Sequence, residues 1–239
     1  MSAPDATEPA APRVSAIVPV LDEAARIRSH LARLVATPGV AEVVVVDGGS
    51  RDDTVAQARG VAGVRVLAAP RGRGTQQNAG ARAAGGAVLW FVHADVVTPP
   101  DAVAWIARVL AGRDVVAGAF RVRTVADAGP GWMGAVLWLA DLRSRVTRFP
   151  YGDQAVFVRR SAFERVGGFP DQPLMEDVEL ARRLRRVGRI VTAPAVVEAS
   201  GRRFLARPVR AVVAMRLFPL LYRLGTPPAL LARLYGDPR

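Results

Sequence analysis

Unbroken apolar runs of five or six residues alternate, through the first hundred positions, with stretches whose apolar residues recur every three or four. Residues 15–20 (SAIVPV) and 42–46 (EVVVV) are β-branched and nearly continuous, which suits strands buried on both faces. Residues 64–68 and 87–92 (AVLWFV) predict a third and a fourth strand. After the first strand, Ile27, Leu31, Leu34 and Val35 fall on one face of a predicted helix, with Asp22 as its N-cap. His30 lies on that helix and is expected at its surface. A second helix is predicted to start near Asp52 or Asp53. A third runs through Gln77, Ala81 and Ala84, after the loop Arg71-Gly72-Arg73-Gly74.

Strands and helices alternating at this spacing imply right-handed crossovers and a mainly parallel sheet covered on both faces. In open α/β sheets the ligand sits at the carboxyl ends of the strands. Here those ends carry residues 19–23, 47–50, 71–74 and 93–95, all polar or glycine-rich. Four strand exits therefore converge on one crevice.

Past residue 100 the pattern changes. Residues 115–122 and 155–158 predict further strands, and the apolar, tryptophan-containing stretch 129–142 predicts a helix packed on the sheet. Gly167-Gly168-Phe169-Pro170 is a turn. Met175-Glu176-Asp177 opens a helix with Val178, Ala181 and Leu184 inward and arginines outward. The tail mixes arginine with leucine, valine and phenylalanine at helical spacing, and Pro208, Pro219, Pro227 and Pro228 cut it into short pieces.

Composition narrows the classes. The 239 residues are 51% hydrophobic, enough for a sizeable core. Cysteine is absent, which excludes disulfides, thiolate metal sites and cysteine nucleophiles and is compatible with a reducing compartment. The net charge of +12, from 33 basic and 21 acidic residues, suits nucleic acid, anionic lipid or a phosphorylated substrate, and an arginine-favouring codon bias explains it equally well. The interleaved aromatics of a single-strand platform are lacking, so no nucleic-acid partner is expected. No uncharged apolar run reaches the ~18–20 residues of a membrane-spanning helix.

Six motifs in order carry a resemblance. V-P-V-L-D-E (18–23), V-V-D-G-G-S-R-D-D-T (45–54), R-G-R-G-T-Q-Q-N-A-G (71–80), H-A-D (93–95), G-G-F-P (167–170) and M-E-D-V-E-L (175–180) together resemble the family-2 inverting glycosyltransferases of the GT-A fold, over roughly residues 14–204. H-A-D with Y-G-D-Q (151–154) looks closest to a bacterial subgroup associated with arsenosugar biosynthesis. The resemblance implies a GT-A, Rossmann-like α/β domain over 13–204, with a nucleotide-binding half (13–100) and an acceptor and catalytic half (101–204). A disordered leader (1–12) precedes it and a helical tail (205–239) follows. It also implies a nucleotide-diphosphate sugar donor, a UDP-sugar foremost, an unnamed acceptor, and a divalent cation, Mn2+ or Mg2+. A cytoplasmic enzyme is expected, with peripheral membrane contact through the tail.

Roles follow residue by residue from the same resemblance. Asp95 is the expected metal ligand, since a hard cation neutralises charge building on the departing diphosphate. His93 stands where the family has a further acid. Asp47 would accept the imide N–H of the base, and Gly48 stands where a second acid is common. Pro19, Glu23, Gly49 and Ser50 border the nucleoside. Arg71, Gly74 and Asn78 belong to the phosphate side, and Asp52 is either a donor-loop acid or a helix cap. Asp177 is the expected catalytic base, with Glu176 as the alternative; the same two acids equally suit a helix N-terminus. Tyr151, Asp153, Gln154 and Arg203 are placed on the acceptor side. Two other readings compete: a nucleotidyltransferase on a related sheet, and a non-catalytic basic protein that binds membrane or nucleic acid. The first of these needs a glycine- and lysine-rich loop after strand one, where this chain has acidic residues.

Overall fold

A computed structural model describes residues 12–125, 141, 150–201 and 217–236. The continuous apolar runs form strands β1 (Val14–Val20), β2 (Val40–Asp47), β3 (Val64–Ala68) and β4 (Val88–Phe91), paired in parallel in the order β3-β2-β1-β4. The crossovers are helices α1 (Ala24–Ala36), α2 (Thr54–Arg59) and α3 (Arg73–Ala83). Because strand side chains alternate, each strand feeds two cores. Ala16, Val18, Val43 and Val45 meet Ile27, Leu31 and Leu34 of α1. Ile17, Val44 and Val46 face the other way, towards Ala81, Leu89 and Phe91. Full burial of each such Val, Leu, Ile or Phe side chain contributes roughly 1.5–3 kcal/mol.

Two local expectations are corrected. His30 is buried at 2% exposure and Val35 is 39% exposed. At 100° per residue, position 30 lies nearer the centre of the face made by 27, 31 and 34 than position 35 does. Asp22 does not cap α1. It takes a left-handed φ of 53°, and Glu23 is the cap residue, without a side-chain bond.

The sheet continues through an antiparallel join. β4 pairs with β7 (Phe157–Arg159), and β7 with β6 (Val115–Val125), both antiparallel. β6 runs parallel to β8 (Arg189–Ser200), and β8 pairs antiparallel with β5 (Val96–Val97). The result is one eight-stranded sheet, β3-β2-β1-β4-β7-β6-β8-β5. Strand β7 begins at Phe157, later than expected, because the 3-10 turn Gly152–Gln154 ends at Ala155 with a left-handed φ of 45°. Helices α4 (Ala102–Leu110), α5 (Arg160–Arg165), α6 (Glu176–Leu184) and α7 (Pro228–Tyr235) complete the described elements with a helical segment at 217–223. Most of the helix expected at 129–142 lies outside the described residues. Asp141, at its end, accepts bonds from the Thr124 N–H (2.8 Å) and hydroxyl (2.7 Å).

Candidate active site

The loops leaving β1 and β2 are stitched to each other. Arg51 N–H donates to Asp22 Oδ1 (2.8 Å), and Asp22 N–H donates to Ser50 Oγ (3.0 Å). Glu23 N–H donates to Thr54 Oγ1 (2.7 Å), whose hydroxyl donates to Asp52 Oδ1. Asp52 Oδ2 accepts the Ala24 N–H at 3.1 Å. Asp52 therefore joins the starts of α1 and α2, as a capping residue does. Asp47 is 7% exposed and accepts from Gly49 N–H (3.0 Å), Ser50 N–H (3.1 Å) and the Ser50 hydroxyl. These bonds fold the 47–50 loop back on the carboxylate, and Gly49, at φ 93°, supplies the left-handed turn. Pro19 lies within β1, opposite Val46.

Gly48 has a volume explanation. The buried Gln76 of α3 donates from Nε2 to Val20 C=O (2.9 Å) and Val46 C=O (2.8 Å), clamping the ends of β1 and β2. A Cβ at Gly48 would lie 2.9 Å from Gln76 Oε1. The side chain that ties the strands together fills the space that any larger residue at 48 would need.

Helix α3 meets the second half of the chain. Asn78 exchanges two bonds with the Phe169 backbone, donating to its C=O (2.9 Å) and accepting its N–H (3.0 Å). Gly74 permits a close approach, since a Cβ there would stand 3.0 Å from Pro170 C=O and 3.3 Å from Phe169 Cβ. Gly74 and Asn78 thus face the 168–170 loop. Arg71 is exposed beside them, while Arg73, within α3, reaches Glu176 Oε1 at 3.4 Å.

The H-A-D, Y-G-D-Q and M-E-D motifs converge. Gly152 N–H donates to Asp177 Oδ2 (2.9 Å), and Val178 N–H to Asp177 Oδ1 (2.7 Å). The imidazole of His93 stands against Gly152, where a Cβ would be 2.8 Å from its Nε2 and 3.9 Å from Asp177 Oδ2. Gln154 is 1% exposed and fastens the turn, accepting Tyr151 N–H (3.0 Å) and donating to Phe120 C=O (2.9 Å). The expected acceptor-side residue Gln154 is therefore a buried brace, while Tyr151 and Asp153 are half-buried. Arg203 lies outside the described residues.

Electrostatics bind the cluster together. Burial pushes the Glu176 carboxyl up to about 7, with Arg73 pulling down and Asp177 adding to the rise. Burial likewise raises Asp177, against the Gly152 N–H and Arg73, and the charge of Asp153 acts in the same sense as burial. Burial opposes the charge of Arg73, but Glu176, Asp177, Tyr235 and Asp95 together hold its guanidinium protonated. Asp95 and Asp177 thus act on one cation. The helix after Asp95 has Asp101 at its N-cap position. Among the described residues no group of three or more His, Asp or Glu side chains is arranged to hold a metal ion. A single carboxylate suits a cation whose shell is completed by substrate phosphates.

Sequence reasoning gave Gln77 no role and read Arg73 only as part of the basic, glycine-rich loop. Arg73 and Gln77 stand one turn apart on α3 and line one largely apolar pocket with His93, Gly152, Glu176 and Asp177. Gln77 is 2% exposed, and its Oε1 meets no donor among the described residues. The i, i+4 spacing of two polar residues on the inward face of a helix was the available signal.

Solved structures share this architecture. The mannosyltransferase PcManGT of Pyrobaculum calidifontis, in complex with GDP-Man and Mn2+, is 25% identical, with a TM-score of 0.68 over 98% of this chain and 70% of that one. Glucosyl-3-phosphoglycerate synthase of Mycobacterium tuberculosis, in complex with Mn2+, UDP-glucose and phosphoglyceric acid, is 24% identical, with a TM-score of 0.59 over 91% of this chain and 82% of that one. The expected GT-A architecture is therefore present. No curated protein sequence is significantly similar to the chain. The family model described as Glycosyl transferase family 2 matches residues 15–167, a span that includes the stitched β1 and β2 loops, α3, His93, Asp95 and the Gly152 turn. With most of the converging site inside that match, the chain belongs to glycosyl transferase family 2.

Proposed function

We propose that this glycosyltransferase moves a sugar from a UDP-sugar to an acceptor hydroxyl in one displacement that inverts the anomeric carbon. The observation that carries the reading is the setting of Asp177. Its carboxylate is aimed by the Gly152 and Val178 N–H groups, raised by burial, and placed in the same field as Arg73 and Asp95. A base in this setting takes the acceptor proton as the new C–O bond forms. The bond from the anomeric carbon to the phosphate oxygen breaks, and the nucleoside diphosphate leaves with the electron pair.

Arg73, half-buried and cationic, would offer charge to the departing diphosphate, and the 47–50 loop, at the exit of neighbouring β2, would border the nucleoside. Asp47 matches the imide edge of uracil. Asp95 would hold a divalent cation, Mn2+ or Mg2+, which would supply neutralising charge for the leaving diphosphate. Tyr151, Asp153 and the open Gln77 oxygen border the acceptor side. The neighbours' complexes with Mn2+ and either GDP-Man or UDP-glucose support a nucleotide-diphosphate sugar donor and a divalent cation.

Thermal shift with UDP-, GDP- and dTDP-sugars, each with and without Mn2+, tests it. The expected result is stabilisation by a UDP-sugar that requires metal and disappears in Asp95→Ala. Stabilisation by GDP-sugars alone would move the donor assignment, and metal-independent binding would remove Asp95 from its role.

A further inference from the structure

The last described twenty residues carry a concentration of exposed apolar surface. Leu217, Leu220 and Leu224 are exposed along the 217–223 segment and its C-terminal edge, at 42%, 53% and 75%. Leu230 and Leu234 of α7 are exposed at 47% and 53%. The spacings are three or four residues, so each set forms one stripe. The opposite sides are already used. Phe218 and Leu231 pack with Leu174, and Leu221, Tyr222, Ala232 and Tyr235 close around them. The pair is fastened further by Tyr222 Oη, which donates to Glu179 Oε2 at 3.3 Å. The outward leucines are thus held at the surface by a packed inner face.

Charge says what covers them. Residues 202–239 hold eight arginines against one acid, Asp237, within a chain of net charge +12. Arg223 and Arg233 are exposed and sit beside the leucine stripes. A cleft of about 420 Å³, walled by Arg182, Tyr222 and Arg223, opens at the turn between the two helical segments. Leucines flanked by arginines are what a helix lying in a lipid headgroup layer presents: apolar side chains enter the acyl boundary and guanidinium groups stay with the phosphates.

We infer that the two C-terminal helical segments form a docking face for an anionic phospholipid bilayer, with Leu217, Leu220, Leu224, Leu230 and Leu234 inserted and Arg223 and Arg233 at headgroup level. The face is attached through Leu174 and Met175, directly before Glu176 and Asp177, so a docked protein holds its catalytic acids next to the membrane. The inference does not depend on the sugar donor.

Flotation of the full chain with vesicles of phosphatidylcholine, alone or mixed with phosphatidylglycerol, tests it. Binding is expected to the mixed vesicles, to weaken as salt rises, and to fall about tenfold or more in the double variant Leu220→Glu/Leu224→Glu. Both positions are exposed, so the variant should fold. An unchanged melting temperature and unchanged metal-dependent nucleotide binding would separate lost docking from lost structure, and from failure of the transferase reading. Equal binding to neutral vesicles, or no loss in the double variant, would overturn the inference. So would light scattering that shows a dimer which the double variant dissolves, since the leucines would then cover a second copy of the chain.

Discussion

Gly48 and Gln76 are matched as space and filler. Gln76 bonds two strand-end carbonyls, and a Cβ at 48 would stand 2.9 Å from its amide oxygen. Gly48→Asp is therefore expected to displace the clamp and destabilise the fold by about 1–3 kcal/mol, the usual cost of overpacking. A denaturant midpoint equal to wild type would show that Gln76 moves freely. Asp177 supports a prediction of another kind. Asp177→Asn removes the proposed base at nearly constant volume but gives up one of its two backbone N–H bonds, since the amide NH2 cannot accept; turnover should fall by roughly 10²–10⁴ while nucleotide affinity stays unchanged. Loss of affinity and turnover together, measured by calorimetry and product release, would make Asp177 a binding residue. At Gly152 the room is also limiting. Gly152→Ala would push on the His93 ring, and turnover is expected to drop with little change in melting temperature.

At the scale of elements, helix α6 carries two electrostatic devices within its first turn. In one, Glu176 and Asp177 have raised proton affinities, with burial the leading cause. The proposed base must be ionised to work and burial raises it, so the acid limb of the turnover profile is expected above the ordinary carboxylate range. Glu176→Gln removes a neighbouring negative charge and should move that limb to lower pH. The stability sign follows from the same shift. A carboxyl raised from 4.5 to about 7 by folding favours the folded state most below pH 4.5 and loses that contribution as pH rises through 7. Melting temperature against pH should therefore be flatter across this window in Glu176→Gln than in wild type. Three residues further on, hydrogen bonds from Arg182, with Arg183 adding to them, hold the Glu179 carboxyl down at about 2 against the cost of burial. Its contribution is present above pH 4.5 and is lost as pH falls through 2. Because Glu179 also receives the Tyr222 hydroxyl, Glu179→Gln should lower the melting temperature by about 2–4 °C and quicken proteolysis near residues 217–236. Unaltered cleavage there would mean that the apolar contacts alone hold the C-terminal helices.

Across the whole molecule, one sheet joins what the sequence presents as two halves. β4 ends the parallel part and is the strand on which β7 pairs. A fragment of residues 12–100 would expose β4 as an unprotected edge with four fully buried side chains, Val88–Phe91. It is expected to aggregate or stay unfolded by circular dichroism and gel filtration, and a monomeric folded fragment would contradict the shared-sheet account. The first four strands were legible because a strand buried on both faces must be apolar without interruption. The strand exits were legible because they break that rule. β8 was not, since its twelve residues are mostly half-exposed and show no clean period. β5, two residues long, is defined only by its pairing to β8. In the site, His93 and Asp95 stood at a predicted strand exit and Glu176 and Asp177 came from the family resemblance, whereas Arg73 read as part of a basic, glycine-rich loop and Gln76 and Gln77 as ordinary helix. Local sequence by itself determined the alternation of strands and helices, the chemistry at the strand exits and the basic, leucine-bearing tail, because all of these are set by residue type and near-neighbour spacing. Only the tertiary structure decided which carboxylates share a field, which glycines face a side chain and which leucines remain at the surface, because these depend on distances between residues far apart in the chain.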